Sequence, residues 1–91
     1  MAFKYKRSVG GSYARQGYVY FTSLCFPELG KRRQERIRRL CCEAGGEYAD
    51  ALFEFVTTDP TATAVCLKHC LSRSQLYRIA GDYYRNFPKN I

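Results

Sequence analysis

Helix breakers and starters recur along this chain at short intervals: Pro27, Gly45-Gly46, Asp59-Pro60, Leu71-Ser72 and Pro88. Nothing between them is long enough for more than a few helical turns, so the fold must be built from short elements packed side by side. The segments themselves carry helical periodicity. Ile37, Leu40, Cys41 and Ala44 fall at i, i+3, i+4 and i+7, with arginines on the other faces, so residues 30–44 read as an amphipathic helix stopped by Gly45-Gly46. Tyr48, Ala51, Leu52, Phe55 and Val56 repeat the spacing, and Glu47, Asp50 and Glu54 line the opposite face near that helix's N-terminus, where the dipole favours them. Asp59-Pro60 predicts a third start, with Asp59 as the cap and proline at the first helical position. That helix is expected to run to about Cys70, with Ala64, Val65 and Leu67 as its apolar residues. Ser72 followed by Gln75 is a capping-box pattern. The helix it opens carries Leu76, Ile79, Ala80, Tyr83 and Phe87 as its stripe until Pro88, and Gly81 within it costs about 1 kcal/mol relative to alanine.

The upstream third is less decided. Residues 17–26 (GYVYFTSLCF) are aromatic and β-branched enough for a strand, yet Phe21, Leu24 and Cys25 also sit at helical spacing. A helix is preferred, because nothing later supplies a strand to pair with. Residues 1–16, with Gly10, Gly11 and Ser12 among basic and tyrosine residues, read as a flexible basic arm. The expected architecture is all-α: a small bundle of four to five helices in a single domain over residues 17–91, with a helix-turn-helix at about 60–87.

Charge divides the chain. Residues 1–40 carry ten basic and two acidic side chains, and residues 41–91 carry five and six. The excess sits in two blocks, the arm (Lys4, Lys6, Arg7 and Arg15) and the stretch Lys31, Arg32, Arg33, Arg36, Arg38 and Arg39. Such blocks attract polyanions, chiefly nucleic acid and secondarily an anionic membrane surface, although a charge run is commonly just a solvated face. With 46% apolar and 25% charged residues, wholesale disorder is excluded. The absence of a long apolar run or signal-like leader makes a soluble cytoplasmic protein the expectation, with no membrane partner. Five cysteines, an odd number with Cys41 and Cys42 adjacent, read as reduced thiols rather than a disulfide framework. Cys66, His69 and Cys70, completed by Cys41 or Cys42, suggest zinc only weakly, since no CxxC knuckle is present. Cys66 and Cys70 read better as small buried hydrophobes, and neither a metal nor another cofactor is expected.

Two short helices joined by a tight turn, the second capped by Ser72 and carrying arginines, describe a helix-turn-helix. In TATAVCLKHCLSRSQLYRI (residues 61–79), Val65, Leu71, Leu76 and Ile79 occupy the apolar positions that hold such a pair together. Cys66 stands where the motif usually has alanine, and Cys70 where it has the turn glycine. This segment resembles the helix-turn-helix of the stage III sporulation regulator D family, and LSRSQLYR is similar to the start of the recognition helix in tetracycline-repressor-type regulators. The resemblance covers the motif alone and implies a DNA-binding protein that regulates transcription or assists DNA processing, consistent with a small bacterial protein of a phage or mobile element. It places the start of the second helix in the major groove of double-stranded DNA. Arg73, Gln75, Tyr77 and Arg78 are then the candidate base readers. Phosphate contacts are expected from Thr61, Thr63, Lys68 and Ser74, and from Arg32, Arg33, Arg36, Arg39, Lys4, Lys6 and Arg7.

Other readings remain beside this one. A protein-interaction module, adaptor or inhibitor would use the acidic face Glu47, Asp50 and Glu54 beside the basic helix. RNA binding would use Tyr5, Tyr13, Tyr18 and Tyr20 as stacking platforms. A homodimer on two half-sites would need a face such as Tyr83, Tyr84 and Phe87 or the segment 18–26, both equally explained as core. No enzyme is expected from one histidine with no phosphate loop or paired carboxylates near a nucleophile.

Overall fold

The computed structural model describes residues 11–89 and 91, and all regular structure among them is helical. Five α-helices follow in order: α1 (Tyr13–Leu24), α2 (Lys31–Gly45), α3 (Ala49–Thr58), α4 (Ala62–His69) and α5 (Arg73–Asn86), with 3₁₀ turns at Phe26–Glu28 and Gly46–Tyr48. Helix α2 packs against α3 and α5, α1 lies across α3, and α4 closes the bundle against α3 and α5.

Residues 17–24 are helical, with a turn at Cys25 before the 3₁₀ turn at Phe26, and the helix starts at Tyr13, inside the stretch expected to be a flexible arm. Two contacts explain the earlier start. Ser12 caps the helix by accepting from the Arg15 amide at 3.1 Å, and the Arg15 guanidinium donates to the carbonyls of Tyr84, at 3.2 Å, and of Phe87. These carbonyls belong to the end of α5, where backbone acceptors lack intrahelical partners. Lys4, Lys6, Arg7 and Tyr5 lie outside the described residues.

The core is what the stripes of α2, α3 and α5 dictate: Ile37, Cys41, Ala51, Leu52, Leu76, Ile79, Ala80 and Tyr83, joined by Val19 of α1 and Val65 of α4. Gly46 ends α2 at φ 56°, a left-handed conformation that favours glycine, and its N–H reaches the Cys42 carbonyl. At the centre, Ser23 donates to the Val19 carbonyl at 2.7 Å, which leaves the Tyr83 hydroxyl to donate to Ser23 Oγ, also at 2.7 Å. Tyr83 and Phe87 are thus core residues packed edge to face at 5.5 Å, not a free dimer face.

Helix α4 starts later than Asp59-Pro60 implies. Thr61 is its cap, accepting from the Ala64 amide at 3.1 Å. Asp59 instead terminates α3 in the left-handed region and accepts from the Tyr20 hydroxyl at 2.6 Å, so its carboxylate is drawn to α1 and away from the α4 amides. Burial and this bond push the Tyr20 hydroxyl up to about 12. Of the apolar residues expected on α4 only Val65 is buried; Ala64 is exposed and Leu67 is 77% exposed, because α3 and α5 cover one face only. Cys66 is half-buried and Cys70 exposed, which corrects the expectation that both are buried.

Candidate nucleic-acid interface

The α4–turn–α5 unit supplies the geometry on which a groove-reading function depends. Cys70, Leu71 and Ser72 connect the two helices. Cys70 adopts φ 58°, ψ 49°, the left-handed conformation its place in the motif requires, and its N–H returns to the Cys66 carbonyl. Leu71 is buried between the helices and its N–H also reaches Cys66 O, at 3.2 Å. The capping box is complete: Ser72 Oγ accepts from the Gln75 amide at 3.1 Å, and Gln75 Oε1 accepts from the Ser72 amide at 2.8 Å. The first turn of α5 is therefore fixed by its own cap, three residues after α4 ends.

The same contacts redistribute the candidate readers. Gln75 is withdrawn from them, because its carbonyl oxygen is committed to the cap and its Nε2 points to the Tyr48 hydroxyl at 3.5 Å. Tyr77 is half-buried with its ring edge-on to Phe55 at 6.4 Å, so it faces α3 rather than a groove. Arg73, Ser74 and Arg78 remain exposed; Ser74 and Arg78, four residues apart, share one face. Arg73 donates to Thr63 Oγ1 at 2.5 Å across the turn, joining the exposed ends of the two helices. Lys68 is not a free cation, since it pairs with Glu54 at 2.9 Å, and His69 Nε2 shares that carboxylate at 3.0 Å. These two partners hold the Glu54 carboxyl below its usual range.

The arginines of α2 lie elsewhere. Tyr48, just beyond the C-terminal end of α2, meets the first turn of α5 through Gln75. Arg36 and Arg39, by contrast, line a hollow of about 190 Å³ with Asn86 and Pro88 at the far end of α5. Arg33 lines a second hollow, of about 340 Å³, with Tyr18, Thr22, Cys25, Leu29 and Ile91. The two helices therefore run antiparallel. The 14 residues of α5 span about 20 Å at 1.5 Å rise, so the phosphate contacts expected of the α2 arginines fall roughly that far from Arg73. Arg38 is held apart from them: its Cζ sits 5.2 Å from the Phe26 ring centroid and 4.9 Å from that of Phe53, each contact worth about 0.5–1 kcal/mol at a surface.

Among the described residues no group of three or more His, Cys, Asp or Glu side chains is placed to hold a metal ion, and no helix is long and apolar enough to cross a membrane. Burial pushes the Cys41 thiol up to about 12, which leaves it protonated and unreactive. Comparison with protein-family models, with curated proteins and with solved structures found no match to this chain.

Proposed function

We propose that this chain is a double-stranded-DNA-binding protein that inserts the first turn of α5 into the major groove, acting in transcription regulation or as an accessory to DNA processing. The observation that carries the reading is the pairing of an internally completed capping box with exposed Arg73, Ser74 and Arg78 in the first two turns of α5. The backbone and Gln75 satisfy one another, Arg78 is left for a ligand, and Arg73 would exchange its bond to the Thr63 hydroxyl for one. Arg73 and Arg78 would donate to guanine O6 and N7, and Ser74, Thr61 and Thr63 would meet flanking phosphates. Gln75, Tyr77 and Lys68 have no part in this version. An interaction module working through Glu47, Asp50 and Glu54 is less well supported, because Glu54 is already satisfied by Lys68 and His69 of the same chain.

The test is a fluorescence-polarisation titration against a random-sequence duplex pool at two salt concentrations, with R73A/R78A alongside. Binding that falls steeply with salt and weakens in the double variant is the expected result. No binding by the native protein at low salt refutes it.

A further inference from the structure

We infer that the outward face of α2 is a separate nucleic-acid site that grips the phosphate backbone of a duplex segment other than the one α5 reads. At 100° per residue, Arg32, Arg36 and Arg39 fall within about 60° of one another, turned about 150° from the mean direction of the buried Ile37 and Cys41, with Arg33 about 60° beyond Arg36 at the edge of the row. From Arg32 to Arg39 the row is about 10 Å long, the axial span of roughly three phosphates of one strand. Among the described residues none of Lys31, Arg32, Arg33, Arg36 or Arg39 has an ion-pair partner, although Glu35 lies on the same helix and Glu43 shares the row's face and lines the hollow with Arg36 and Arg39. Every other described arginine has an internal contact except Arg78: Arg15 holds α5, Arg38 lies over two rings, Arg73 holds Thr63 and Arg85 pairs with Asp82. The chain thus ties down its scattered cations and leaves this row open. The placement is also locally unfavourable, since Lys31, Arg32 and Arg33 stand in the first turn of a helix, where the dipole disfavours positive charge.

Phosphodiester rather than lipid is the partner this face fits. A membrane-binding helix sets apolar side chains beside its cations, whereas the apolar stripe of α2 is turned into the core and the helix has no large exposed apolar residue. Arginine also offers phosphate a two-pronged donor. The α2 site is argued from α2 alone. That it engages a second segment rests on the α5 reading, because a helix entering a groove by its N-terminus carries its C-terminal end, and with it Arg33, Arg36 and Arg39, away from that duplex.

The experiment counts duplexes of about one helical turn (~10 bp) bound per full-length chain by native mass spectrometry at low salt. Polarisation measures the salt dependence in parallel. The native protein is expected to hold two duplexes, R73A/R78A one, and R32A/R33A/R36A/R39A one, with the quadruple variant lowering the log–log salt slope of the remaining sites' total by about 3–4. The milder R36A/R39A, checked like the other variants for an unchanged helical spectrum, lowers it by about 2. Two duplexes retained by the quadruple variant, or both lost together in either variant, overturns the inference. A single duplex lost only with the α2 arginines keeps the α2 site and refutes the α5 reading. A single duplex lost only in R73A/R78A does the reverse. Unchanged duplex counts in the quadruple variant, with loss of sedimentation on phosphatidylserine vesicles, would assign the face to a membrane and overturn the inference.

Discussion

Replacing Cys70 by glycine should make this protein more stable, although the substitution deletes a side chain. Cys70 sits at φ 58°, where a Cβ crowds the following carbonyl, at a cost of roughly 1–2 kcal/mol. Glycine escapes that cost and gives back about 0.4–1 kcal/mol through the greater freedom of its unfolded chain. Because Cys70 is exposed, little packing is lost with the thiol. The net gain is about 0.5–1 kcal/mol, or about 2–8 °C in melting temperature for a domain of this size. C70A separates backbone from thiol: it keeps a Cβ in the left-handed region and should melt close to the native protein. Thermal unfolding followed by far-ultraviolet circular dichroism, under reducing conditions, gives the order directly. If C70G melts at or below C70A, the turn is not held in that conformation, and the short α4–α5 connection drawn from it falls too.

Ser72→Ala removes one half of the capping box and should lower stability by about 1 kcal/mol, with faster hydrogen exchange at the Gln75 amide as the local signature. Alkaline pH should loosen the fold. Burial is the leading cause that pushes Tyr20 and Tyr84 from 10.0 to about 12, and Cys41 from 9.0 to about 12. The folded state thus favours the protonated forms. Their contribution is complete below about pH 9, and is lost as pH rises from there through 12. The urea midpoint should be flat up to about pH 9 and fall above it, less steeply in Tyr20→Phe, which no longer titrates at that position. A midpoint unchanged up to pH 12 would contradict these environments.

What could be read along the chain is what local spacing encodes. Helices α2, α3 and α5 were legible because each repeats its apolar residues often enough to define one face, and Ser72 with Gln75 encodes its cap within four residues. Helix α4 is legible as an element, but its cap and its buried face are not. Its start depends on Asp59 being drawn to Tyr20, 39 residues away, and eight residues are too few for Leu67 to declare which side of the helix it occupies. Gln75 carried two meanings, cap and base reader, and a single amide oxygen can serve only the first. Arg15 read as part of a mobile arm because its partners are carbonyls at the other end of the chain. The arginines of α2 were recognisable as a cluster, but their distance from Arg73 follows from the antiparallel packing of α2 on α5, which no local pattern records.

The bond from Arg15 to Phe87 spans 72 residues and joins the first helix to the last. On a ribosome working at roughly 5–20 residues per second, α1 emerges on the order of ten seconds before its anchor exists. Its buried Gln16, Val19 and Ser23 have no complete cradle during that interval, since the Ser23 partner, Tyr83, also belongs to α5. Helix α1 is thus made well before its seat is complete. During synthesis, a chaperone's opportunity lies at α1, and a chain cut short before α5 would leave that helix without its seat.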